Sequence, residues 1–133
     1  MKILFVCTGN ACRSPVAQAL MKKLKPSFDI DSAGTNPHYE IIDSSKKYLR
    51  KQKADYFLKD FPEGLDNKKL SQYDLIVAMK KRHKEIILTK CPECEDKISV
   101  WEIYDPYGLP MEETERVFNE IKYKIVKLAK SLQ

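Results

Sequence analysis

Cys7 and Arg13 have the clearest chemical potential in this chain, because only five residues of a short polar loop separate them. An apolar run at residues 3–6 precedes the loop and predicts a buried strand. Ser14 and Pro15 predict a helix after it, with Ser14 as its cap. The free backbone N–H groups at a helix N-terminus attract anions and favour the nucleophilic thiolate form of a cysteine. The guanidinium of Arg13 can hold two oxygens of a phosphate or an arsenate.

The Cys-x5-Arg spacing is weak evidence by itself, because four cysteines and four arginines supply one such pair by chance about one time in ten. In the simplest alternative, Cys7 and Cys12 are small core residues and Arg13 is a surface charge. An apolar core has little use for Gly9 and Asn10 followed so closely by an arginine, however. The surrounding residues therefore favour an oxyanion-binding loop.

The segment from Val6 to Pro15 resembles the signature V-C-x-G-N-x-C-R-S-P of the low molecular weight protein tyrosine phosphatases and matches it at every specified position. Segments at residues 31–35, 73–79 and 105–107 resemble the family's second strand, third strand and general-acid loop, in the family's order. The resemblance covers nearly the whole chain. It implies one phosphatase domain over residues 1–133.

The chemistry of such a loop is nucleophilic phosphoryl transfer. A thiolate at Cys7 could form a cysteinyl-phosphate intermediate, while backbone N–H groups of residues 8–13 and the Arg13 guanidinium hold the phosphoryl oxygens. Fixed donors stabilise charge without a metal, so we expect no cofactor. The resemblance makes Asp105 the general acid for the leaving group and then the base for water. Considered alone, Asp105 before Pro106 is more typical of an ordinary turn.

The residues expected around the substrate belong to the loop and to two tyrosines. Tyr107 and Tyr39 are candidates for aromatic walls beside a phosphotyrosine ring, although Tyr39 fits an ordinary half-buried tyrosine equally well. In the resemblance, Ser14 donates a hydrogen bond to the thiolate and Asn10 holds the loop through Ser32. The predicted substrate-binding residues are Thr8, Gly9, Asn10, Ala11, Cys12, Ser14, Tyr39 and Tyr107.

Two departures from the family pattern bear on substrate preference. Gly108 stands where many members carry a second tyrosine, and a histidine of the loop network has no evident counterpart in residues 54–64. The oxyanion-binding loop is compatible with phosphotyrosine on a protein, with phosphoarginine and with small phosphomonoesters. Inorganic phosphate, sulfate and arsenate are the expected anion ligands.

The other cysteines allow several interpretations. Cys12 could be a small residue packed under the loop, or a thiol that traps oxidised Cys7 as a reversible disulfide; the resemblance favours the second. Cys91 and Cys94 form a Cys-x-x-Cys pair, which could be half a zinc site, a redox pair or a loop staple. Zinc would need two further ligands, and the sequence does not supply them clearly, so we predict no metal site.

A thioredoxin-coupled arsenate reductase is the main alternative function, because such enzymes share this fold and oxyanion loop. They pass a disulfide from the nucleophile to cysteines in a mobile segment after the third strand, and Cys91 resembles the last of these. The intermediate cysteine expected near Met79 is absent, which favours the phosphatase. A non-catalytic phosphate-binding module is a further alternative, but it would usually have lost Cys7 or Asp105.

The elements that position these residues follow an alternation of apolar and amphipathic segments, which is typical of an α/β domain with a parallel sheet. We predict a single three-layer domain: a four-stranded parallel sheet, helices on both faces, and the phosphate-binding loop after the first strand. Cys7, Asp31, Met79 and Asp105 should meet at one sheet edge, where open α/β folds bind ligands. The predicted strands lie at 2–6, 28–31, 75–79 and 98–103, and the predicted helices at 14–24, 43–53, 66–71, 81–90 and from 111 onward.

Length and composition limit the class of protein. The 133 residues suffice for one domain with a core, and 43% hydrophobic with 32% charged residues is typical of a folded globular protein. The net charge of +5 favours anionic substrates, but the basic residues are too scattered to indicate nucleic acid binding. No segment is typical of a signal peptide or a membrane span, so we expect a cytoplasmic protein with reduced thiols.

Overall fold

Four parallel strands form the sheet of this protein, whose computed structural model describes residues 1–132. Strand β1 (Lys2–Cys7) lies between β2 (Asp29–Gly34) and β3 (Leu75–Ala78), and β4 (Ile98–Val100) pairs with β3 at the edge. The strand order is therefore β2-β1-β3-β4, with every pair parallel. The predicted four-stranded parallel sheet is confirmed.

Strand β1 is buried on both faces, and its side chains alternate between two hydrophobic cores. Ile3 and Phe5 belong to one core, and Leu4 and Val6 belong to the other. A strand buried on both faces is expected to be apolar throughout, which explains the unbroken apolar run that precedes the loop.

Helices cover both faces of the sheet. Helices α1 (Arg13–Leu24), α2 (Asp43–Lys51) and α4 (Met111–Ser131) contribute buried residues to the core that contains Phe5. Helix α3 (Lys81–Lys90) contributes to the opposite core. The domain therefore has the three layers that the sequence predicted.

The carboxyl ends of the strands lie at one edge of the sheet. In the strand register, Cys7 pairs with Gly34, Val6 pairs with Ala78, and Ala78 pairs with Val100. The segments that follow β1, β2 and β4 consequently leave the sheet at the same edge. These three segments carry the phosphate-binding loop and the residues around Tyr39 and Asp105.

Two predicted elements differ from the structure. The helix predicted at residues 66–71 is wrong: two separate 3₁₀ turns lie there, Leu65–Asn67 and Leu70–Gln72. They are separate because Lys68 adopts an extended backbone between them and its side chain binds Asp31. The fourth strand ends at Val100 instead of residue 103, since a left-handed backbone at Glu102 (φ 56°) interrupts its ladder.

Smaller differences concern the ends of the elements. Strand β2 begins one residue later than predicted and continues to Gly34, and helix α2 ends at Lys51, two residues earlier than predicted. Lys53 has φ 56°, a left-handed conformation that closes the helix. Within residues 1–132, none of the helices is long and apolar enough to cross a membrane.

Candidate active site

A cavity of about 220 Å³ lies at the carboxyl edge of the sheet. Cys7 is the last residue of β1 and Arg13 is the first residue of α1, so strand and helix together fix the ends of the loop. Asp105 reaches the cavity from the segment after β4. The cavity is lined by Cys7, Thr8, Gly9, Ala11, Cys12, Arg13, His38, Asp105 and Tyr107.

Arg13 is almost completely buried, with 1% of its side chain exposed. Its Nη1 donates to the carbonyl of Ile103 at 3.0 Å, and its Nη2 lies 3.6 Å from Oδ2 of Asp105. Its Nε is also buried and has no hydrogen-bond partner among residues 1–132. Buried donors are rarely left unpaired, so a guanidinium held this way in a cavity wall is suited to an oxyanion.

Asp105 both stabilises a turn and lines the cavity. Its Oδ1 accepts a hydrogen bond from the backbone N–H of Tyr107 at 3.1 Å, as an Asp at the start of a turn commonly does. Its side chain is nevertheless 43% exposed and lines the cavity with Cys7 and Arg13. The turn therefore presents the carboxyl group to the cavity, where it could exchange a proton with a ligand.

Asn10 determines how the loop is braced beneath the cavity. Its Oδ1 accepts hydrogen bonds from Nζ of Lys59 and from the backbone N–H of Glu63, both at 2.8 Å. Both partners can only donate, so the amide nitrogen must lie on the opposite side, where it donates to Ser14 Oγ at 2.8 Å and to Ser32 Oγ at 2.9 Å. Asn10 also has φ 50°, a left-handed conformation that asparagine tolerates better than most residues.

This orientation assigns the hydrogen bond at the sulfur. Oγ of Ser14 lies 3.0 Å from Sγ of Cys7. Because Ser14 already accepts from Asn10, its own hydroxyl hydrogen is free to point at the sulfur. Ser14 can therefore donate to Cys7, and such a donation is the arrangement that stabilises a thiolate.

The role predicted for Ser14 as a helix cap is wrong. Helix α1 begins at Arg13, with Cys12 at the capping position and no side-chain cap. The hydroxyl of Ser14 is used between Asn10 and Cys7 instead. Neither Ser14 nor Asn10 lines the cavity, so their side chains support the loop from below.

Lys59 belongs to the hydrogen-bond network beneath the loop, and the sequence did not point to it. Only 8% of its side chain is exposed, and its Nζ contacts Oδ1 of Asn10, the carbonyl of Ser32 and Oε1 of Glu63. Burial lowers the pKa of Lys59, and the carboxylate of Glu63 opposes that shift. The sequence did not reveal this role because residues 54–64 lack a periodic pattern.

His83 is a second residue whose role the sequence did not reveal. It lies in the first turn of α3, is fully buried, and has Nε2 at 2.8 Å from Oγ1 of Thr8. Burial, and then the charge of Arg13, lower the pKa of His83 to about 4. The one sequence signal for a place near the site is that His83 follows closely after the third apolar run, at residues 75–79.

His38 and Tyr107 form one side of the cavity mouth. Their rings meet edge to face, with centroids 5.5 Å apart. His38 also lies against the loop so closely that a Cβ on Gly9 would stand 2.7 Å from its Cδ2. A side chain at Gly9 would therefore force the His38 ring to move, and Tyr107 lies where the sequence predicted an aromatic wall.

Tyr39 lies outside the phosphate cavity. Its side chain is 99% exposed and lines an adjoining groove with residues 36–38 and Tyr107. It is neither half-buried nor a wall of the cavity, so its predicted contact with substrate would be made in that groove.

The four cysteines fall into two separate groups. Cys7 and Cys12 are free thiols that line the cavity. Burial raises the pKa of Cys12 far above its usual range, and the neighbouring Cys7 raises it further, so Cys12 keeps its proton at neutral pH. Cys91 and Cys94 form a disulfide at the other end of α3.

The disulfide lies far from the nucleophile. Cys91 follows the last residue of α3, whereas His83 beside the cavity lies in its first turn, so about 12 Å of helix separates them. A thiol relay between Cys91 and Cys7 would require the helix to unwind. Among residues 1–132, no group of three or more His, Cys, Asp or Glu side chains is placed to hold a metal ion.

Comparison with known proteins places this geometry in a family. The family described as low molecular weight phosphotyrosine protein phosphatase matches residues 2–133. The low molecular weight protein-tyrosine-phosphatase Etp of Escherichia coli is 31% identical over 149 residues, covering 98% of this chain and 93% of Etp. The arsenate reductase alternative is not supported by these relatives.

Two solved structures are similar throughout. One is the tyrosine phosphatase Wzb from Escherichia coli K30 in complex with sulphate, with a TM-score of 0.89 at 28% sequence identity. The match covers 99% of this chain and 98% of the Wzb chain. The other is a cysteine-to-serine mutant of the YwlE arginine phosphatase with a phosphorylated active-site serine, which has a TM-score of 0.88 at 27% sequence identity. The match covers 99% of this chain and 95% of the YwlE chain. The chain belongs to the low molecular weight phosphotyrosine protein phosphatases, a family of cysteine-dependent enzymes.

Proposed function

We propose that this protein hydrolyses aryl phosphate monoesters of the phosphotyrosine type through a cysteinyl-phosphate intermediate. One observation carries the proposal: Cys7, Arg13 and Asp105 line one small cavity. A nucleophile, an oxyanion donor and a proton donor are the groups that this reaction requires.

In the first step, the Cys7 thiolate attacks phosphorus, a sulfur–phosphorus bond forms, and the bond to the leaving oxygen breaks. Asp105 gives its proton to that oxygen. The backbone N–H groups of residues 8–13 and the guanidinium of Arg13 hold the three remaining oxygens, and because they are fixed they need little reorganisation. The hydroxyl of Ser14 stabilises the sulfur before attack and after its release.

In the second step, the Asp105 carboxylate accepts a proton from water. The oxygen of that water attacks phosphorus, the sulfur–phosphorus bond breaks, and Cys7 returns as thiolate with release of inorganic phosphate. The phosphorylated serine in the mutant of the YwlE arginine phosphatase supports covalent transfer to this position of the loop.

The mouth of the cavity favours a planar leaving group. His38 and Tyr107 present ring surfaces and edges on one side, which suits an aromatic ring on the phosphate. A phosphorylated guanidinium is also planar, and the structural likeness to an arginine phosphatase makes phosphoarginine the second candidate substrate. Direct competition between phosphotyrosine and phosphoarginine peptides distinguishes the two.

We also propose that the enzyme works with Cys7 and Cys12 reduced, as in the cytoplasm, and is sensitive to oxidation. Cys7 and Cys12 line the same cavity as free thiols. If peroxide converts Cys7 to a sulfenic acid, the Cys12 thiol can displace water from it and form a disulfide. Reduction by a dithiol would then restore the nucleophile.

The proposed function is tested by turnover of p-nitrophenyl phosphate by the parent enzyme and by Cys7→Ser. We expect the substitution to abolish turnover while the variant still binds inorganic phosphate, because Arg13 and the loop amides remain. Phosphate binding also shows that the variant is folded. Turnover by Cys7→Ser at the parent rate would overturn the assignment of the nucleophile.

A further inference from the structure

The side chain of Thr8 contacts His83, and neither of these side chains has a part in the reaction as described above. We propose that the Thr8 hydroxyl is an additional hydrogen-bond donor to the bound phosphoryl group, and that His83 is the buried residue that positions it. The inference rests on the proposed function, because it concerns the same cavity.

The tautomer of His83 follows from its partners. Its Nδ1 lies 3.0 Å from the backbone nitrogen of Lys80, which can only donate a hydrogen bond. Nδ1 therefore carries no proton, and the ring proton must be on Nε2. Nε2 lies 2.8 Å from Oγ1 of Thr8, so the imidazole donates and the threonine oxygen accepts.

This direction leaves the Thr8 hydroxyl hydrogen available. Within residues 1–132, Oγ1 of Thr8 has no hydrogen-bond partner apart from His83. Thr8 is the first residue after the nucleophile, and it lines the same cavity as Arg13 and Asp105. An acceptor atom on a ligand in that cavity, such as a phosphoryl oxygen, is the partner that this hydrogen can reach.

The charges around His83 also favour the neutral form. Arg13, Arg82 and Lys80 disfavour its protonation, and only Asp105 favours it. Because burial lowers the pKa of His83 to about 4, the imidazole is neutral at the pH at which a cysteine thiolate can act. A neutral, buried imidazole is a fixed donor to Thr8 and takes no part in proton transfer with the substrate. His83 is therefore a positioning residue.

The first test removes only the hydroxyl. Thr8→Val keeps the branched shape, Thr8→Ser keeps the hydroxyl, and Thr89→Val is a matched control at the exposed end of α3. We expect Thr8→Val to lose about 10-fold in kcat/KM and in affinity for inorganic phosphate, since it removes one hydrogen bond to a charged ligand. Thr8→Ser, which restores the hydroxyl, should lose clearly less than Thr8→Val, and Thr89→Val should stay near the parent values. A parent-like Thr8→Val would overturn the proposal.

The second test addresses His83. We expect His83→Phe to lower kcat/KM as much as Thr8→Val, and the double variant to lose no more than either single variant, because both remove the same interaction. Additive losses would overturn the positioning role. Should His83→Phe fail to fold, ¹⁵N NMR of the parent protein tests the positioning role through the tautomer of His83. We expect the neutral tautomer with the proton on Nε2 at pH 7, and a proton on Nδ1 would contradict the assignment.

These outcomes are separable from a failure of the proposed function. If the parent enzyme does not hydrolyse aryl phosphates, the proposed function fails. The phosphate affinity of Thr8→Val and the tautomer of His83 would still report on this inference, since neither measurement needs turnover.

Discussion

Nζ of Lys59 donates to Oδ1 of Asn10 across 2.8 Å, and this contact orients the hydrogen bonds that lead to the nucleophile. With its oxygen turned toward Lys59, Asn10 must donate to Ser14, which leaves the Ser14 hydroxyl hydrogen available to Cys7. A buried cation thus acts on the sulfur through two intervening side chains.

Replacing Lys59 with methionine should slow the enzyme without removing any group that touches substrate. The Asn10 amide would lose the partner that fixes its orientation, so the Ser14 hydroxyl would no longer be held toward Cys7. We expect kcat/KM to fall about 10-fold, the effect of weakening one hydrogen bond to a charged group. Cys7 should also react more slowly with iodoacetamide at pH 7.

The exposed Lys69 offers a matched control, and Lys69→Met should retain both parent values. A Lys59→Met enzyme whose Cys7 alkylates at the parent rate would show that the lysine does not act through the loop network.

Asp105→Asn should slow turnover according to the leaving group. The amide of asparagine cannot supply a proton to the leaving oxygen. The departure of phenolate depends on such a proton more strongly than the departure of nitrophenolate, because phenolate is more basic. We expect a loss of about 100-fold or more for phenyl phosphate, within the usual range for a general acid, and a clearly smaller loss for p-nitrophenyl phosphate. The exposed Asp60→Asn is the control. Equal losses for the two esters would exclude a proton-donor role for Asp105.

Stability should depend on pH through His83. As the pH falls from about 6.5 to about 4, the unfolded chain binds a proton at this histidine that the folded protein does not accept, so the free energy of unfolding falls. The loss approaches about 3 kcal/mol at the lower end of that range. Urea unfolding at pH 7 and at pH 4.5 measures it.

His83→Gln should lack this part of the pH dependence, whereas His38→Gln, at an exposed histidine, should keep it. The carboxylates of Asp31 and Glu63 have lowered pKa values, so the stability they contribute is lost progressively as the pH falls below about 5, in every variant alike. An unchanged pH dependence in His83→Gln would contradict the account of a buried neutral imidazole.

Replacing both Cys91 and Cys94 with serine should leave phosphatase turnover nearly unchanged, because the disulfide lies at the far end of α3. We expect a loss of about 2 kcal/mol in the free energy of unfolding, as chain entropy predicts for so short a closed loop. Loss of turnover in a folded double variant would indicate that the pair communicates with Cys7.

The sequence predicted the parts of the site that are local in the chain. Cys7 and Arg13 belong to one contiguous motif, and the strand before and the helix after it follow from apolar periodicity. The residue type of Ser14 predicts a helix cap. In the structure its hydroxyl oxygen instead accepts from Asn10 and contacts the sulfur of Cys7. The side-chain type alone could not distinguish these two uses.

The contacts that were not predicted join distant segments. Lys59 is 49 residues from Asn10, and His83 is 75 residues from Thr8. Lys59 lies in an irregular segment and forms an ion pair with Glu63, and no periodicity reports such contacts. His83 lies on a predicted helix, but which loop residue it meets depends on the order of the strands.

Rapid-quench mass spectrometry tests whether phosphate is transferred to the sulfur of Cys7. Asp105→Ala, mixed with p-nitrophenyl phosphate and quenched in acid within milliseconds, should accumulate protein heavier by one phosphoryl group, because loss of the base slows hydrolysis of the intermediate. Peptide mapping should place that group on Cys7. Release of nitrophenol with no covalent adduct, or an adduct on another residue, would contradict the account.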